Sequence, residues 1–148
     1  MSAQEIESDF PRLAVEGCAI TSPKTEDYNC AAWAGGDMTE KWDPDKTSGR
    51  YWPKEIPRSL DLETFIQLYH YEGGYSPCLD GSLEDGYEKL ALFLNPSNEV
   101  THVARQVPFG EWTSKLGGGE DIRHKTLTGL EGAFYGKVAQ FLKRRISS

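Results

Sequence analysis

Lys89-Leu90-Ala91-Leu92-Phe93-Leu94, followed at once by Asn95-Pro96-Ser97-Asn98, decides how the fold is read. Leu90, Leu92 and Leu94 alternate to one side, which is the period of a strand, and the four residues after them form turns. Residues 100–107 read as a second strand. Pro108-Phe109-Gly110-Glu111 is a second turn and residues 112–116 a third strand. The pattern predicts an antiparallel meander.

Upstream of the meander the period is helical. Asn29 is a good N-cap, and Ala31-Ala32-Trp33-Ala34 continues as a helix over residues 27–34 that Gly35-Gly36 ends. Leu62, Phe65, Ile66 and Tyr69 fall on one face of a second helix opening at Ser59-Leu60-Asp61 and closed by Gly73-Gly74. Between the two, residues 37–58 hold Trp42, Tyr51 and Trp52 among Pro44, Pro53 and Pro57. A long aperiodic stretch of this kind points to a functional loop. Residues 75–86 read as loop. Gly117-Gly118-Gly119 leads to His124 in a turn or helix start, and a last helix is expected over about 126–145, interrupted near Gly132 and Gly136. With residues 1–20 as a lead-in, residues 1–148 read as a single α+β domain: N-terminal helices on a small antiparallel meander, then a C-terminal helix.

The composition narrows the function. A chain of 148 residues, 26% charged and 38% hydrophobic, is long enough for one packed core and is not disordered. A net charge of −7 with its one basic cluster at Lys143-Arg144-Arg145 argues against nucleic-acid binding and leaves a protein or peptide partner. No apolar run approaches a membrane span, and the acidic first ten residues lack a signal peptide's apolar region. Three cysteines, Cys18, Cys30 and Cys78, form no paired motif. A reducing compartment is expected, cytoplasmic unless export proceeds without an N-terminal signal. His70, His102, His124, Cys30 and Cys78 lack metal-ligand spacing, and no cofactor is expected.

Cys30 is the candidate nucleophile. In the first turn of its helix, free N–H groups and the helix dipole stabilise a thiolate. His102, near the start of the second strand, is the candidate base and acid. A polar residue on the next strand would orient it, and register decides which. If Val107 pairs with Trp112, Thr113 and Lys115 share the His102 face. A shift of one residue brings Ser114 there instead. Ser114 or a nearby backbone carbonyl is favoured, because a lysine repels an imidazolium. Tyr28 and Asn29 are candidate oxyanion donors, and Trp33, Trp52 and Trp112 candidate substrate contacts. The plainer alternatives are a Cys buried as a small hydrophobe, a packed His, and aromatic residues that cover the core.

Cys30 on a helix, His102-Val103-Ala104 opening a strand, Gly110 in a turn and a polar residue at 114 resemble the NlpC-type branch of papain-like peptidases. That resemblance implies a papain-like fold and chemistry through a thioester: peptidase, amidase, protein deamidase or acyl transferase. Serine at 114 departs from the His, Asn or Gln usual there, and Asn29-Cys30-Ala31-Ala32 departs from Asp-Cys-Ser-Gly. Tyr28-Asn29-Cys30-Ala31-Ala32-Trp33-Ala34-Gly35, Thr101-His102-Val103-Ala104-Arg105-Gln106 and Trp112-Thr113-Ser114-Lys115-Leu116-Gly117 are also similar to the signature blocks of a small bacterial domain family without established function. A non-catalytic interaction or immunity module is the alternative from another class.

Overall fold

The computed structural model describes residues 18–22, 28–107, 110–115, 121–127, 130–132 and 135–146. Most of the lead-in, the turn residues Pro23 to Thr25, Pro108-Phe109 and the glycine run at 117–119 lie outside these. One antiparallel sheet dominates the described residues. Its strands are β1 (Cys18–Ser22), β2 (Ser76–Cys78), β3 (Tyr87–Leu94), β4 (Val100–Gln106), β5 (Trp112–Lys115), β6 (Asp121–His124) and β7 (Lys137–Arg145). They lie in the order β1-β6-β5-β4-β3-β7-β2. Among the described residues, two α-helices, α1 (Cys30–Ala34) and α2 (Leu62–Gly73), precede the meander.

This corrects the expected papain-like α+β architecture with its N-terminal helices and C-terminal helix. The meander stands, but the sheet has seven strands and α1 is a short turn of helix. The predicted C-terminal helix is the nine-residue strand β7, paired along the whole of β3 from Tyr87↔Arg145 to Leu94↔Lys137. Two glycines explain the change. Gly132 and Gly136 have φ of 145° and 79° and exchange backbone hydrogen bonds, which makes a tight turn where a helix would need continuous αR backbone. The basic cluster Lys143-Arg144-Arg145 ends β7. Lys143 pairs with Glu84 at 2.9 Å, and Arg144 with Glu88. His124, expected in a turn or helix start, sits in β6, and the expected loop at 75–86 contributes β2.

β3 lies between β4 and β7, and a separate core packs on each of its faces. Leu90 and Leu92 join a core with Val103, Leu142, Phe65, Leu68, Tyr69 and the alanines of α1. Ala91 and Phe93 join the opposite core with Ala104, Trp112, Ile122 and Leu130. The helices and the aromatic loop thus cover one face, and Leu127, Leu130, Tyr135 and Val138 help cover the other. At the start of β4 the register slips, so that Leu94 pairs with Val100 and Phe93 with His102. That bulge adds one residue on β4 and re-aims the local side chains.

Candidate active site

Asn29 builds the start of α1. Its Oδ1 accepts from the N–H groups of Ala32 (3.1 Å) and Trp42 (3.2 Å), and its Nδ2 donates to the Trp42 carbonyl (2.8 Å). One side chain thus caps the helix and fastens the aromatic loop to it. From the neighbouring helix, Tyr69 donates to the carbonyl of Ala31 (2.8 Å). Cys30 is held as the first helical residue, half-buried, beside the backbone N–H groups of Ala31 and Val103. Burial pushes its thiol above the ordinary value. Those N–H groups and the charge of Lys115 oppose the rise without cancelling it.

Cys30 and His102 line one cleft of about 160 Å³, together with Asn29, Trp42, Asp43 and Pro44 of the aromatic loop. The imidazole is 1% exposed, and neither ring nitrogen has a hydrogen-bond partner. Its ring packs edge-on to Phe93 (centroids 5.3 Å, 70°) and face to face with Tyr135 (4.1 Å, 13°). Burial, and then the charge of His124, push its pKa down to about 3. Thiol and imidazole come to the cleft from opposite faces of the sheet, α1 packing with Val103 and the His102 ring with Phe93. No hydrogen bond joins them, and both groups are neutral at pH 7.

The register is Arg105↔Thr113 and Gln106↔Trp112. Ser114 therefore shares the face of His102, and Thr113 and Lys115 share the face of α1. Ser114 does not orient His102, however. Its Oγ lies 2.9 Å from Nε2 of His124, whose Nδ1 lies 2.8 Å from the Thr126 carbonyl. A carbonyl only accepts, so Nδ1 of His124 carries a proton, and in the neutral ring the Ser114 hydroxyl donates to Nε2. His124 is 1% exposed and was missed by sequence reasoning. Its signal was Asp121-Ile122-Arg123-His124, an alternation too short to declare a strand alone.

The other expected residues divide. Tyr28 is buried and its hydroxyl donates to Asp121, while Nδ2 of Asn29 is engaged by Trp42; neither side chain is open to an oxyanion. The backbone N–H groups at the start of α1 remain as donors. Trp33 donates to Thr113 (3.3 Å) and lies under the Arg105 guanidinium. Trp52 is core, its indole donating to the carbonyls of Ile56 and Pro57. Trp112 lies on the far face and lines a different cleft, of about 410 Å³, with Phe141 and Leu127. Among the described residues, no three His, Cys, Asp or Glu side chains gather as a metal site, and no helix is long and apolar enough to cross a membrane.

No curated protein and no solved structure matches the chain. A family profile described as a domain of unknown function covers residues 19–143, nearly the whole length. The chain belongs to that family, DUF7689.

Proposed function

We propose that the protein is a cysteine-dependent hydrolase or acyl transferase acting on an amide or thioester of a protein or peptide, with Cys30 as nucleophile and His102 as proton acceptor and donor. One observation carries the reading: a fully buried imidazole with both nitrogens unpartnered lines the cleft that holds a thiol at a helix start. Leaving a buried polar group unsatisfied costs about 1–3 kcal/mol, and such costs concentrate where chemistry needs an open group.

The neutral resting pair sets the order of events. A bound carbonyl displaces water from the cleft. His102 takes the thiol proton once substrate binding brings the two groups together, as Sγ attacks the carbonyl carbon. Catalytic hydrogen bonds are often long in an empty site and tighten when substrate binds. The N–H groups beside Cys30 then face the developing negative charge. His102 returns the proton to the leaving amine, and water or a second nucleophile resolves the thioester. The similarity of the Cys30 and His102 blocks to NlpC-type peptidases supports this chemistry and lends nothing to the fold.

A second reading, a non-catalytic protein-interaction module, draws on the missing hydrogen bond between thiol and imidazole. Mass-resolved labelling with an acyl-type electrophile separates the two. The hydrolase reading expects an adduct on Cys30 that His102→Ala abolishes. Labelling no faster at Cys30 than at Cys78, with no dependence on His102, favours the module.

A further inference from the structure

We propose that Tyr135 is a positioning residue that fixes the plane of the His102 imidazole by stacking, with Phe93 packed against the ring's edge. This rests on the proton-transfer role given to His102. A histidine's outer torsion is broad and is normally fixed by a hydrogen bond to one nitrogen. His102 has no such bond, and the polar side chain expected to supply it, Ser114, is engaged by His124. What holds the ring is aromatic: the Tyr135 face at 4.1 Å and 13°, and the Phe93 edge at 5.3 Å and 70°. A near-parallel stack opposes tilting of the ring out of its plane, yet it occupies neither nitrogen. One nitrogen is thus left for the Cys30 proton and the other for a water or substrate group.

The position of Tyr135 is built from the backbone. Gly132 and Gly136 bond to each other in both directions, at 3.0 and 2.8 Å. Gly136 lies so close to β3 that an added Cβ would stand 1.9 Å from the Leu94 carbonyl oxygen. The Thr101 hydroxyl, one residue before His102, donates to the carbonyl of Tyr135. Stack and histidine are therefore tied to the same bulge of β4. Such a support matters because a misplacement of about 1 Å in a catalytic group can cost on the order of 10²-fold in rate.

The test compares the full-length wild type with Tyr135→Phe and Tyr135→Leu, each first shown to be folded by a dispersed amide spectrum. Long-range proton–nitrogen NMR reads the ring-proton shifts of His102, and iodoacetamide labelling reads Cys30. Wild type and Tyr135→Phe are expected to show upfield-shifted His102 ring protons. Tyr135→Leu is expected to move those protons downfield and slow Cys30 labelling. Unchanged His102 signals in Tyr135→Leu overturn the proposal. So does Tyr135→Phe behaving like Tyr135→Leu, which would place the effect in the hydroxyl. A stacked signature lost only in Tyr135→Leu, with labelling indifferent to His102→Ala, upholds the clamp and removes the hydrolase reading.

Discussion

His102 carries a cost that its surroundings do not relieve, and that cost can be measured. Its folded pKa of about 3 lies below the unfolded value of about 6.5. The unfolded chain therefore binds the proton more readily. The stability due to this group is complete above about pH 6.5 and drains away as the pH falls toward 3. In that window the loss is as much as about 1.4 kcal/mol per pH unit. His102→Leu removes this titration, so its urea-derived stability is expected to fall less steeply than the wild type's between pH 6.5 and 4. Parallel slopes would show that the imidazole is solvated. Asn29 is the second residue whose worth can be read directly, since its three bonds join α1 to the aromatic loop. Asn29→Ala is expected to lower stability by about 1–3 kcal/mol, seen as a lower thermal midpoint. A change within about 0.5 kcal/mol would mean that the loop holds without it. Asn29 was legible in the sequence as a cap. Its grip on Trp42 was not, because Trp42 lies thirteen positions further on, beyond α1 and inside the aperiodic loop.

At the scale of elements, the meander was legible because Leu90, Leu92 and Leu94 alternate in β3 and turn residues separate it from β4. Two registers fit the sequence, since Gly110 alone does not say how many residues the turn consumes. The pairing Gln106↔Trp112 is the choice that puts Ser114 on the face of His102. The C-terminal element reads as a helix in the sequence and is the strand β7. Val138, Ala139, Phe141 and Leu142 suit a helix or a half-buried strand, and only the partner decides between them. That partner, β3, lies some fifty residues earlier, beyond the reach of local pattern. Two glycines weigh this account. Gly86 has φ of 82° and open space around it, so Gly86→Ala is expected to cost about 1–2 kcal/mol from backbone strain alone. Gly136→Ala adds a clash with the Leu94 carbonyl to similar strain and is expected to cost about 3 kcal/mol or more. Equal losses in chemical unfolding would show that β3 and the Tyr135 turn are not in close contact.

For the whole molecule, the sheet predicts a gradient of protection. Amides of β3 are expected to exchange most slowly, because this buried strand is paired along most of its length with both β4 and β7. Those of β2, three residues at an edge with largely exposed side chains, should exchange fastest among the strands. Slow exchange in β2 would mean that another chain covers that edge. The candidate site was half legible at this scale. Cys30 and His102 announced themselves through a helix cap and a strand start, and both reach one cleft. The groups around His102 did not, since Tyr135 and His124 arrive from segments whose period was obscured by glycines. Membership of DUF7689 fixes the family and leaves the activity to be measured. The most direct test is the rate of iodoacetamide labelling at Cys30 between pH 5 and 9, resolved by mass spectrometry from Cys78 and repeated in His102→Ala. The account predicts that Cys30 outpaces Cys78 at neutral pH, where both thiols are protonated, and that His102→Ala abolishes the advantage. A Cys30 rate that simply follows a raised thiol titration, unchanged by the loss of His102, would contradict it.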